Sequence, residues 1–180
     1  NTVVRARAAA GAAEGCTVLA VRQTQGRGRR GRSFFSPADT GVYLSILLRP
    51  GQAQAGRLTT MAAAAACQAI ETVSGEAAQI KWVNDIFLRG RKVGGILTEA
   101  AFALEDGAVD YAVLGVGMNV YPPQDGFPAA LSDIAGSVFR APQDDGKNRM
   151  AAAFLNRFMS YYTAQQPESY VDEYRRRSLA

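Results

Sequence analysis

The residues best suited to chemistry lie in one short run, Gly26-Arg27-Gly28-Arg29-Arg30-Gly31-Arg32. It packs four arginines and three glycines into seven positions. Each guanidinium is a planar fork of donors that stays cationic at any working pH. Glycine lacks a Cβ and permits φ > 0, so the backbone can fold tightly and turn its N–H groups toward a ligand. The pattern predicts a flexible loop that wraps an anion. Gln23 stands just before it, and Phe34-Phe35 follows at once, placed to seat the loop or stack on a base.

Three further polar groups fall where pattern puts strand ends or turns: Lys81 with Asn84-Asp85, Lys92 with Gly94-Gly95, and Asn119 after Gly117. Taken singly, each reads as ordinary structure: a solvated lysine, a turn former, a close backbone approach, a strand end. Jointly they suit activation of a carboxylate by a nucleotide. That reaction sets a carboxylate against the α-phosphate of ATP. The two anions repel, so cations must bring them together and stabilise the transferring phosphoryl group. Arg27, Arg29, Arg32, Lys81 and Lys92 are the candidates. Asp85 is the candidate Mg²⁺ ligand, since Mg²⁺ is bound through one or two carboxylates beside phosphates. Phe34 is the candidate stacking partner for adenine.

Composition narrows the field. A chain of 180 residues, 48% hydrophobic and 20% charged, suits one globular domain. The net charge is +4, and much of the excess sits in Arg27–Arg32 and Arg175–Arg177. Clustering in a glycine-rich loop favours a local anion site over an extended nucleic-acid groove. There is no histidine, which excludes Ser-His-Asp and Cys-His catalysis. Cys16 and Cys67 form no Cys-x-x-Cys unit, so neither a disulfide framework nor a Cys/His metal site is expected. No apolar run approaches a bilayer span and no signal peptide opens the chain, so a cytoplasmic protein without membrane contact is expected.

Periodicity supplies the elements that must position these residues. A short helix is expected in 1–14, capped by Asn1 or Thr2, then a strand over 16–24 that delivers Gln23 to the loop. A strand over 42–48 and an alanine-rich helix over 59–73, ended by Gly75, follow. Residues 79–88 read as a strand interrupted at Asn84-Asp85, since Asn and Asp are poor mid-strand residues. A turn at 89–91, a strand over 92–99, a turn at 104–107 and a buried strand over 111–120 come next. A proline-rich loop leads to a helix from Asp144 or Asp145 to about 163, with Met150, Phe154, Phe158 and Tyr161 on one face. Pro167 is expected to break that helix before a last short one. The fold class is α+β, a mixed and mainly antiparallel sheet with helices packed on one face.

The motifs Gly26-Arg-Gly-Arg-Arg-Gly-Arg32, Lys81-Trp-Val-Asn-Asp85, Lys92-Val-Gly-Gly-Ile-Leu-Thr-Glu99 and Gly115-Val-Gly-Met-Asn119 stand in the order and approximate spacing of the biotin protein ligases. The chain resembles that family over nearly its whole length. The resemblance implies ATP-dependent formation of biotinyl-5′-AMP and transfer of biotin to a lysine of a biotin carboxyl carrier domain, as in acetyl-CoA carboxylase or a related carboxylase. It implies the fold shared with lipoate ligases and class II synthetase cores. It implies that 1–180 is one catalytic domain, without the DNA-binding and small β-barrel domains found in the family, so no DNA binding is expected. A homodimer is admitted, not required.

Position by position, the resemblance makes Asn1, Gln23, Gly26, Arg27, Gly28, Arg29, Lys92, Gly94 and Gly95 biotin-site residues. Arg29, Arg32, Phe34, Lys81, Asn84, Asp85 and Asn119 become ATP-site residues. Lys92, Arg27 and Arg29 carry catalysis. Val83 stands where the family has proline. Three rival readings remain: a ligase for lipoate or octanoate, a non-catalytic homologue that binds biotin or a carrier, and a basic nucleic-acid-binding module. The loop with Gln23 and Lys92 favours biotin over lipoate, and retention of Lys92 and Asp85 favours an active site.

Overall fold

The computed structural model describes residues 1–105, 107–166 and 168–179. Its elements are α1 (Thr2–Ala9), β1 (Thr17–Ala20), β2 (Gly41–Leu48), α2 (Gln52–Ala55), α3 (Leu58–Ser74), β3 (Gln79–Lys81), β4 (Asp85–Leu88), β5 (Arg91–Phe102), β6 (Val109–Asn119), α4 (Gly146–Tyr162) and α5 (Val171–Arg177). The strands form a six-stranded sheet in the order β1-β2-β6-β5-β4-β3, and each neighbouring pair is antiparallel. This is the expected α+β class. Among the described residues no helix is long and apolar enough to cross a membrane.

One face of the sheet carries α3, α4 and α5. The alanines of α3 let it sit close to the strands, burying Leu58, Met61, Ala62, Ala65, Ala69 and Ile70 of the stripe that its periodicity predicts, with Val73 half-buried at the end of that stripe. Ala63, Ala64, Ala66 and Cys67 are buried as well, because α4 covers the outer side of the helix. Helix α4 turns Met150, Phe154, Phe158 and Tyr161 inward, and the rings of Phe154 and Phe158 stack at 5.9 Å. Burying a ring of this size stabilises by about 1.5–3 kcal/mol. On the opposite face α1 gives partial cover, with Val4 and Ala8 packed on Leu47 and Val113. The rest of that face is open and carries the site.

Three details depart from the expected elements. Asn1 occupies the cap position of α1 but makes no side-chain cap bond, because its amide is used across the sheet. The interruption at Asn84-Asp85 is a hairpin: β3 and β4 pair back to back, with Lys81 opposite Asp85 and Trp82-Val83-Asn84 as the loop. Val83 is a strand former, which hides this turn from pattern reading. The short helix α2 was not foreseen. Elsewhere the turns follow their chemistry. Gly75 ends α3 at φ 75°, and Arg89-Gly90 closes the β4–β5 hairpin with φ 51° and 73°. The turn expected over 104–107 includes Asp106, and the expected helix break falls on Pro167; both residues lie outside those described.

The second basic cluster proves structural. Arg177 is buried and donates to Glu71, Glu173 and the carbonyl of Ala78, tying α5 to α3 and to the approach of β3. Arg176 pairs with Glu173, and Arg175 faces Asp172.

Candidate active site

Strand register builds the floor of the site in rows, since residues directly opposite one another share a face. One row runs across the sheet as Ala20, Tyr43, Gly117, Gly95, Asp85 and Lys81. The next is Val18, Ser45, Gly115 and Leu97, and a third is Leu47, Val113 and Glu99. Glycines in mid-sheet cost strand stability, so they mark a place where something approaches the backbone closely. Here the approach is visible. A Cβ at Gly117 would fall 2.6 Å from the ring of Phe34, and one at Gly115 would fall 2.3 Å from Asn1 Oδ1.

The Gly/Arg loop forms the roof. It folds as a miniature hairpin, with a β-bridge between Arg27 and Ser33 and a tip in which Arg30 and Gly31 take φ 55° and 74°. Phe34 N–H donates to the Gly26 carbonyl at 2.9 Å, and Gly28 N–H to the Arg32 carbonyl at 2.7 Å. Gly26 has no room for a side chain, since a Cβ there would meet the Phe34 carbonyl at 2.2 Å. Two arginines tie the roof to opposite sides of the floor. Arg27 reaches Glu99 at 3.3 Å, and Arg29 donates to Asn84 Oδ1 at 3.3 Å.

Floor and roof enclose a cleft of about 910 Å³. Among the described residues Arg22, Arg27, Arg29, Arg30, Arg32, Lys81 and Lys92 line it against one acid in the lining, Asp85, with Glu99 at the margin beneath Arg27. That imbalance selects an anionic ligand. Lys92 Nζ donates to Asp85 Oδ1 at 2.6 Å, which holds the ammonium near Gly95. Gln23 accepts from Ser36 Oγ at 2.7 Å, so its NH₂ is the end that can donate to a ligand. Phe34 packs edge-to-face with Tyr43 at 6.4 Å. Burial holds the Tyr43 phenol above its ordinary pKa, keeping it a neutral donor to the Pro37 carbonyl.

The expected residues converge, with qualifications. Asn1, Gln23, Arg27, Gly28, Arg29, Arg32, Phe34, Lys81, Asn84, Asp85, Lys92 and Gly95 line the cleft. Gly26, Gly94 and Asn119 lie outside its lining. Gly26 shapes the roof from behind. Gly94 lies against Met118 and Ile86, toward the helix layer. Asn119 is buried and donates to the Gly136 carbonyl at 3.0 Å, steadying the segment that also pairs with the backbone of Lys92. Among the described residues no three His, Cys, Asp or Glu side chains gather as a metal cage. Asp85 is a lone carboxylate beside Lys92, a donor set that suits a Mg²⁺ carried in on phosphates rather than one caged by protein.

Ser45, Glu99, Gly115 and Tyr43 belong to the site and were not singled out from sequence. The readable signals were a serine amid the aliphatics of β2 and two glycines spaced by two in β6.

Residues 7–119, which hold roof, floor and the Lys92–Asp85 pair, match the Biotin/lipoate A/B protein ligase family. The chain belongs to this family. Among its relatives is the bifunctional ligase/repressor BirA of Bacillus spizizenii, 42% identical over 132 residues that cover 72% of this chain and 40% of that protein. The biotin–acetyl-CoA-carboxylase ligase of Mycobacterium tuberculosis is 35% identical over an alignment covering 99% of this chain and 67% of that protein. The biotin protein ligase of Aquifex aeolicus, solved in complex with biotin and ATP, aligns at a TM-score of 0.64 and 26% identity, covering 84% of this chain and 63% of that one. That of Leishmania major, solved with biotinyl-5-AMP, shares the fold at a TM-score of 0.76 and 21% identity, covering 99% and 76%. The chain thus spans 40% of the length of the Bacillus relative.

The glycine floor can be tested without any ligand. Gly115→Ala must displace Asn1 from its bonds, and overpacking of this kind costs about 1–3 kcal/mol. A lower urea midpoint with an unchanged m-value is the expected result.

Proposed function

We propose that this chain is the catalytic domain of an ATP-dependent biotin–protein ligase. One observation carries the reading: the fold closes an arginine roof over a glycine-floored row that ends in Asp85 and Lys81, with Lys92 poised above it. Family membership and the relatives' names support it.

The ureido head of biotin offers both donors and acceptors, and it meets the amides of Gln23 and Asn1 beside the Gly115 and Gly117 floor. ATP lies toward Asp85, Asn84 and Lys81, with Phe34 beside adenine and Arg32 near the triphosphate. The carboxylate and the α-phosphate then meet beneath Arg27, Arg29 and Lys92. These cations offset the mutual repulsion of the two anions and the charge that develops at phosphorus. The carboxylate oxygen bonds to the α-phosphorus as pyrophosphate leaves, giving biotinyl-5′-AMP. A carrier lysine, as its free amine, attacks the acyl carbon; AMP leaves and the amine loses a proton. Asp85 would hold Mg²⁺ together with the phosphates, and the ion would neutralise phosphate charge. Biotin carboxyl carrier protein of a carboxylase is the acceptor, the protein works in the cytoplasm, and Asn119 and Gly94 support the site from behind.

The reading is tested by incubating the protein with Mg-ATP, an apo carrier domain and either biotin or lipoate, then weighing the carrier. A biotin-sized gain is expected; a lipoate-sized gain alone would move the assignment to the sister activity, and no gain would remove both. Lys92→Ala should cut biotin-dependent pyrophosphate exchange by roughly 10²–10³-fold, the scale of a lost charge-stabilising group. Exchange at the native rate would show that Lys92 is not at the reacting centre.

A further inference from the structure

Glu99 is out of place by charge. It stands at the margin of a floor whose cleft gathers seven cations and whose ligands are anions, so its carboxylate opposes binding. Its contacts give it another use. It accepts from Asn1 Nδ2 at 2.7 Å and from Arg27 Nη2 at 3.3 Å, with Arg5 of α1 at 3.9 Å. One carboxylate on β5 thus gathers the head of α1 and the roof.

The Asn1 amide is held at both ends. Its Nδ2 also donates to the Leu97 carbonyl at 3.3 Å, and its Oδ1 accepts from Ser45 Oγ at 2.8 Å. An ionised carboxylate only accepts, as does the Leu97 carbonyl, so Glu99 at the shorter distance and Leu97 together turn the Asn1 NH₂ to β5 and its Oδ1 to Ser45 and the Gly115 floor. The same group holds Arg27 at the cleft edge.

We propose that Glu99 is a positioning residue that couples the Asn1 amide to the roof arginine Arg27, setting amide orientation and roof closure together. The identity of the ligand rests on the biotin-ligase reading; the coupling does not.

Glu99→Gln keeps the size of the side chain but can donate to Asn1 and lacks the charge that holds Arg27. Hydrogen–deuterium exchange of the ligand-free protein reads the roof through the bonded amides of Gly28, Arg32 and Phe34. These should exchange roughly threefold to tenfold faster in Glu99→Gln, the range bracketed by an exposed ion pair and an ordinary hydrogen bond. Amides of β2 and β6 should not change. Arg27→Gln should do the same from the roof side, and the double variant should add little to either. With biotin and Mg-ATP, Glu99→Gln should raise the KM for biotin by roughly threefold to tenfold on the same arithmetic, with kcat moving less than about twofold. Unchanged roof exchange in both single variants would overturn the proposal. So would faster exchange throughout β2 and β6, which would mark Glu99 as a fold residue. If the wild type makes no biotinyl-AMP, the functional reading fails while the exchange comparison still decides the coupling.

Discussion

Two anions that must come within bonding distance repel each other by about 4 kcal/mol at 4 Å in a medium of effective dielectric near 20. The architecture of this protein follows from that repulsion. Seven cationic side chains line the cleft, and without ligand they repel one another in turn. The structure offsets this with specific acceptors: Asp85 for Lys92, Glu99 for Arg27, and the side-chain Oδ1 of Asn84 for Arg29. Each acceptor sits on β4, β5 or the loop before β4, so the cations are held beside the place where ligands arrive. The exposed contacts of Arg27 and Arg29 are individually worth no more than about 1 kcal/mol, which leaves them easy to exchange for a phosphate or a carboxylate.

The sheet makes that arrangement repeatable. Antiparallel register fixes Gly117, Gly95, Asp85 and Lys81 in one line, and a slip of one residue would turn all of them to the helix layer. What resists a slip is the buried side. Alanine-rich α3 packs on β3, β4 and β5, α4 packs on α3 and β2, and Arg177 of α5 clamps the approach of β3. The half-open face can then be given over to glycine, which weakens a strand locally but lets Asn1 and the Phe34 ring seat directly on the backbone beside the cleft.

Much of this was legible from local pattern, and the rest was not for physical reasons. Helical periodicity marked the buried face of α3 and the stripe Met150, Phe154, Phe158 and Tyr161. The loop Gly26–Arg32 announced itself by composition. The β3–β4 hairpin was missed because Trp82 and Val83 favour strands and no glycine marks the turn. Asn1 looked like a helix cap because capping is a local rule; its bonds to Ser45 and Glu99 span 44 and 98 positions. The serine amid the aliphatics of β2 and the Glu99 that ends the Lys92 motif give no local hint of a common partner, since only register brings them beside Asn1. Arg175–Arg177 reads from sequence only as part of the positive excess, and only tertiary contacts reveal Arg177 as a clamp.

The central claim is that the cleft holds a carboxylate and a nucleotide phosphate at once, under one roof. Calorimetric titration with biotin, with AMP and with a non-hydrolysable biotinyl-adenylate analogue tests it directly. Joining two ligands that occupy adjoining subsites gains roughly 10²–10⁴ in affinity over either half. An analogue that binds at least about a hundredfold more tightly than biotin, and loses that gain in Lys92→Ala, is the expected result. An analogue that binds no more tightly than biotin alone would contradict it.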